Sequence, residues 1–202
     1  MENKVISQNY DDLNIEKHPQ IKGLQIVEGK NNFPISWLNI QGYCEYSLYL
    51  QYFKGIKTAP TKAMLKGTKT HAGLERKFKE TATPSSFSDA FEGSKENEIL
   101  SREMFVIDSE NGIRGYIDEI WMTPEEFVII DDKPGDRAYP STIHQVLAYC
   151  LAFKNMIGDD NRRIVAALRQ STTGKIFWRE EFDENNEKKI RFLIERMHGL
   201  FE

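Results

Sequence analysis

Two aspartates, a lysine and a glutamine–tyrosine pair carry the chemistry this sequence suggests. Asp131 and Lys133 stand in "EFVIIDDK", at the end of an apolar run, and Asp118 stands shortly before them in "GYIDEIW". Side chains alternate faces along a strand, so Asp131 and Lys133 share one side and Asp132 takes the other. Phe127, Val128, Ile129 and Ile130 are apolar on both faces, as in a central strand covered from both sides. A carboxylate placed there is strongly penalised unless it is paired or holds a metal. If the neighbouring strand returns as a hairpin, Asp118 comes alongside Asp131, and the two carboxylates repel. A Mg²⁺ or Mn²⁺ ion relieves that repulsion while keeping waters of its own. Lys133 would face the same cluster, able to orient a water or to neutralise charge growing on a phosphate oxygen. The spacing also fits a structural ion pair at a strand end, which often contributes little.

Three further positions bear on this cluster. His71 lies on the stripe Met64, Gly67, Thr68, His71, Leu74 and Phe78, at helical spacing. Its imidazole could be a metal ligand or a satisfied core histidine. Gln145 and Tyr149, four apart on a helix, neighbour each other beside an apolar face that includes Val146, Leu147 and Cys150. Glu103, in "SREMFV", could supply a further acid near the metal, but it is read as solvent-facing and stays outside the metal set.

The elements that must position these residues follow from period and punctuation. A helix is expected from Ser36 to about Phe53, with Tyr43, Tyr46, Tyr49, Tyr52 and Phe53 mostly packing the core, although such aromatics could also stack on bases. A second helix is expected from Thr61 to about Glu80, followed by a loop at "TATPSSFSD". "SREMFVID", "GIRGYIDEIW" and "EFVIIDDK" read as three strands, turned at Asn111-Gly112 and Thr123-Pro124 and stopped by Pro134-Gly135. A helix from Pro140 to Gly158, strands "RIVAALRQ" and "KIFWREEF", and a helix from Asp183 through Leu200 complete the order. The fold class is therefore mixed α/β (α+β), a central mixed sheet flanked by helices. Residues 1–30, polar and weakly patterned, read as a peripheral arm to a single domain over 31–202.

Composition bounds the function. At 202 residues, 40% hydrophobic and 29% charged, the chain suits one soluble globular domain. No stretch approaches the roughly 20 apolar residues of a membrane span, and "MENKVISQNYDD" has no apolar signal region, so a cytoplasmic protein without a membrane partner is expected. Two cysteines, Cys44 and Cys150, cannot build a disulfide framework. The net charge of −4 argues against non-specific coating of nucleic acid, yet cations cluster over 54–79 and again over 162–179. Those runs are solvated faces or tracks for a phosphate backbone.

"GYID", then "DDK" after an apolar run, then "QVLAY", with "GTKTHAGLE" upstream, resembles the PD-(D/E)XK nuclease superfamily. Within it, the likeness is to the RecB-like branch and to the CRISPR-associated exonuclease that is the fourth numbered Cas protein, over about residues 36–155. The resemblance implies a restriction-endonuclease-like core. It also implies a Mg²⁺- or Mn²⁺-dependent deoxyribonuclease, an exonuclease acting on single-stranded or end-bearing DNA, in CRISPR spacer acquisition or repair and with other proteins of those pathways as partners. His71, Asp118 and Asp131 would hold the metal, with the Asp132 backbone carbonyl as a further ligand. Lys133 would assist the water or the transition state, and Gln145 and Tyr149 would position Lys133 or the DNA backbone. The alternatives are a non-catalytic DNA-binding subunit that keeps the fold, or a restriction-type endonuclease. Cys44 matches a cluster-ligating cysteine of the family, but four thiolates cannot come from two cysteines. No iron–sulfur cluster is expected, and Cys44 is read as a buried small hydrophobe.

Overall fold

The three apolar strands expected mid-chain lie at the centre of a mixed sheet. The protein, seen as a computed structural model, is described for residues 1–56 and 72–201. In chain order the strands are β1 (Glu2–Ser7), β2 (Ile15–Lys17), β3 (Gln25–Val27), β4 (Lys30–Pro34), β5 (Thr83–Ser86), β6 (Ile99–Asp108), β7 (Ile113–Met122), β8 (Glu126–Lys133), β9 (Arg163–Gln170) and β10 (Ile176–Glu181). The helices are α1 (Ser36–Leu48), running on into a π-helical turn at Tyr49–Phe53, then α2 (described over 72–79), α3 (Phe87–Gly93), α4 (Pro140–Ile157) and α5 (Glu184–His198).

β7 organises the sheet. β6 runs antiparallel along one whole edge, from Ile99↔Met122 to Asp108↔Ile113. Two strands share the other edge: β4 pairs in parallel at Ile113 and Arg114, and β8 pairs antiparallel from Glu119 to Met122. Residues 115–118 lie in the gap between β4 and β8, paired to neither. β9 continues in parallel beside β8, and β10 returns antiparallel beside β9. The buried faces of α1, α4 and α5 pack on one side of this sheet around Trp37, Phe33, Phe127 and Phe153.

Local chemistry explains the helix limits. Pro140 occupies the first turn of α4, where its missing N–H costs nothing, and Gly158 (φ 63°) closes it. The Asp183 carboxylate caps α5 by accepting from the Asn186 amide, with Glu184 and Glu187 in the positive first turn and Arg196 and His198 in the last. At Gly112 (φ 67°) a β-carbon would sit 2.4 Å from the Asn31 carbonyl, so the turn between β6 and β7 admits only glycine.

Several expectations are revised. Residues 1–30, read as a peripheral arm, pair into the margin of the sheet: β1 pairs with β5 and β6, the β2–β3–β4 meander joins β7, and Ile21, Leu24 and Val27 are buried. Short strands with few apolar residues leave little periodicity to read. The helix expected over Ser36–Phe53 is broken at Cys44 (φ −163°, ψ 104°), which is half-exposed rather than buried. Tyr43, Tyr46 and Tyr49 are exposed, so core packing takes only Tyr52 and Phe53 of the five aromatics. "TATPSSFSD" is not a loop, because it supplies β5 and the Ser86 cap of α3. Most of the helix expected over Thr61–Glu80, His71 included, lies outside the described residues; 72–79 are helical. Among the described residues no helix is long and apolar enough to cross a membrane.

Candidate active site

The gap along β7 is where the sequence-predicted residues meet. Where a β7 carbonyl would otherwise continue the ladder, the Asp118 carboxylate takes over and accepts from the Asp132 amide at 2.7 Å. On the same face Lys133 Nζ lies 2.7 Å from Asp131 Oδ2 and donates to Gln145 Oε1 at 3.1 Å. The ammonium approaches Asp131 off the hydrogen-bonding axis, so this buried oxygen has an ion pair but no directed donor. Burial pushes the Asp118 carboxyl well above the usual carboxylate range, and the neighbouring Asp131 charge pushes it further. Asp118, Asp131, Lys133, Gln145 and Tyr149 thus form one connected group.

Tyr149 is held by its burial and by its neighbours. Its hydroxyl is pushed far above the phenol range by burial first, then by the Asp131 and Asp118 charges, while the Gln145 side chain contacts it in the opposite sense. The ring lies against Gly115, where an added β-carbon would meet Tyr149 Cε1 at 2.9 Å. That contact gives the glycine of "GYID" its physical reason. We expect Gly115→Ala to destabilise the protein by roughly 1–3 kcal/mol through overpacking; chemical denaturation measures it, and an unchanged midpoint would show the ring free to move.

Glu103, set aside in the sequence reading, belongs to this site. Register places it opposite Asp118, since Arg102 faces Glu119 and Met104 faces Ile117. Its backbone is left-handed (φ 52°), a conformation costing of order 1–3 kcal/mol for a non-glycine residue. The kink changes which residues face the core, from Ile99 before it to Met104 and Val106 after it. β7 shifts phase at the same level, with Ile113 and Ile117 in the core and then Ile120 and Met122. Glu103, Asp118 and Tyr149 consequently line one cavity of about 310 Å³, with Tyr116 exposed at its side. The strand pattern of "SREMFVID" carries no local signal for this flip.

Asp132 takes the opposite face, as alternation requires. Its carboxylate binds Arg102 Nη2 at 2.8 Å and Arg169 Nε at 2.7 Å, while Arg169 Nη1 reaches Glu119 Oε1 at 2.6 Å and Arg102 also pairs with Glu119. Burial alone would raise the Asp132 carboxyl, but the two guanidinium groups outweigh it and hold it below the usual range. The Asp132 carboxylate is therefore withdrawn from the site, and only its backbone remains near Asp118. Sequence reasoning missed this buried quartet because its partners come from β6, β7, β8 and β9.

The arginines over 162–179 also meet acids, although Arg163 and Arg179 stay more than half exposed. Arg162 is bound to Asp160 at 2.8 Å and lies over the Phe127 ring; Arg163 and Arg179 share Glu126, and Arg169 belongs to the quartet. Most of the 54–79 run falls outside the described residues.

Three features bear on a divalent cation: the Asp131 charge disfavours ionisation of Asp118, Asp131 Oδ2 lacks a directed donor, and Glu103 lines the adjoining cavity. They fit such an ion, which answers like-charge carboxylates. Among the described residues no group of three His, Cys, Asp or Glu side chains already converges as a metal cage. No family model matches the chain, and no curated protein matches it. Among solved structures, similarity is found to the crystal structure of SSO0001, 17% identical with a TM-score of 0.40, covering 86% of this chain and 78% of that one.

Proposed function

We propose that the protein is a metal-dependent deoxyribonuclease acting on DNA ends, an exonuclease of the PD-(D/E)XK type working in the cytoplasm. The observation that carries this reading is the pair of carboxylates, half-buried Asp118 and buried Asp131, set against a single ammonium at a break in the sheet. Asp118 and Asp131 would hold Mg²⁺ or Mn²⁺, with His71 and the Asp132 carbonyl as further donors. When bound, the cation supplies positive charge against their repulsion and Lewis acidity at the scissile phosphate.

The chain's own residues do the rest. Gln145, steadied by the buried Tyr149, keeps the Lys133 ammonium turned to the Asp131 edge. From there Lys133 orients the attacking water and then offsets charge on the phosphate oxygens as the P–O3′ bond breaks. Tyr116, exposed beside Asp118, offers a ring for a terminal base to stack on.

Purified protein with Mn²⁺ should shorten end-labelled linear DNA and leave closed circular duplex intact. Lys133→Ala should lower that rate by about 10²–10³-fold, with circular dichroism and cooperative melting retained. Turnover that survives the substitution in a folded variant removes the mechanism.

A further inference from the structure

The turn between β2 and β3 forms a second cavity with the site's own strand. It has a volume of about 540 Å³ and is lined by Lys17, His18, Gln20, Lys22 and Arg114, with no carboxylate among its lining residues. Arg114 also lines the cavity that holds Asp118, so the two spaces adjoin through one guanidinium. Among the described residues its partners are neutral oxygens: the Gly23 carbonyl at 2.6 Å, Asn32 Oδ1 at 3.1 Å and the Asn32 carbonyl. Burial brings this guanidinium down to about 10, with no anion among the described residues to hold it up. Lys17 and Lys22 are exposed and without an ion pair among the described residues.

The turn is built, not loose. Its apolar residues Ile21 and Leu24 are buried, and the His18 amide donates to the Leu24 carbonyl at 3.1 Å. The Gln20 and Ile21 amides both donate to His18 Nδ1, at 3.2 and 3.0 Å, which places the ring proton on Nε2 as a further donor. Two exposed ammonium groups, a guanidinium bonded to neutral oxygens and an imidazole N–H, in one concave frame, suit a phosphate group.

We propose that this cavity is a phosphate subsite for the strand being cut, taking a backbone or terminal phosphate a short way from the scissile bond. Arg114 lies four residues before Asp118 on β7, about 13 Å along the strand, within reach of one nucleic-acid strand. The proposal rests on the nuclease reading but is tested by binding alone.

Fluorescence anisotropy of the full chain in EDTA would follow short single-stranded oligonucleotides, with a 5′-phosphate or a 5′-hydroxyl, across a KCl series. The variant Lys17→Gln/Lys22→Gln should bind roughly tenfold more weakly, with a salt slope shallower by about 1.4, the value for two lost contacts on a single strand. A control pair on α5, Lys188→Gln/Lys189→Gln, should bind as the parent does. Loss confined to the 5′-phosphorylated oligonucleotide assigns a terminal phosphate, and equal loss in both assigns the backbone. Unchanged affinity and slope in the double variant overturn the subsite even if Mn²⁺-dependent cleavage is found. Strand binding that needs these lysines, in a protein that never cleaves, upholds the subsite and removes the nuclease.

Discussion

Asp118→Asn should raise the melting temperature by about 2–4 °C, a gain of about 1 kcal/mol for a chain of this size, while lowering metal-dependent turnover at least a thousandfold. Stability and function oppose each other at this residue because its charge is held against burial and against Asp131. Asparagine keeps an oxygen to accept from the Asp132 amide, so the ladder across the gap survives. It loses the charge that a cation would meet. Between the unfolded carboxylate value of about 3.9 and the raised folded value, the folded protein binds more protons than the unfolded chain. Stability of the parent is therefore highest below that window, falls as pH rises through it, and stays low above it. The Asp118→Asn variant should lack this part of the fall. Differential scanning calorimetry across pH, with and without Mn²⁺, checks the whole argument: the parent should regain stability with the cation and the variant should not. A variant that melts below the parent at neutral pH, or that still cleaves, contradicts it.

Glu119→Ala should have the largest effect on stability, a loss of about 3–5 kcal/mol, or roughly 6–20 °C in melting temperature. The quartet places two guanidinium groups against two carboxylates with little solvent access. Removing one carboxylate leaves Arg102 and Arg169 to share Asp132 alone, and the Trp121 indole N–H loses its acceptor, 2.7 Å away. An uncompensated buried cation costs far more than the pair contributes in water. Glu119→Gln, which keeps an acceptor for Trp121, should lose less. Urea denaturation followed by tryptophan fluorescence separates the two variants, and a loss under about 1 kcal/mol for alanine would mean the cluster is solvated after all.

How much of the candidate site was legible depends on how far apart its determinants lie along the chain. Alternation in "EFVIIDDK" was enough to put Asp131 and Lys133 on one face and Asp132 on the other, and these strands obey it. Four-residue spacing was enough to make Gln145 and Tyr149 neighbours on α4. The arginines over 162–179 were a different case: a run of cations reads the same whether it faces solvent or acids, and Glu126 and Asp132 are more than thirty residues from the arginines they hold. The strand period gives no sign of Glu103 at the site, because it assumes an unbroken strand, which the left-handed backbone interrupts.

Period and residue type by themselves determined the central strands, the faces of the acidic pair and the helix that carries glutamine and tyrosine, since these depend on neighbours a few positions away. Tertiary structure alone decided that β4 and β8 divide one edge of β7, that Glu103 joins Asp118, and that the β2–β3 turn sets its cations beside Arg114. Strand order and backbone kinks settle which distant charges meet, and the energy of a charge inside a protein is set by whichever partner the fold brings to it.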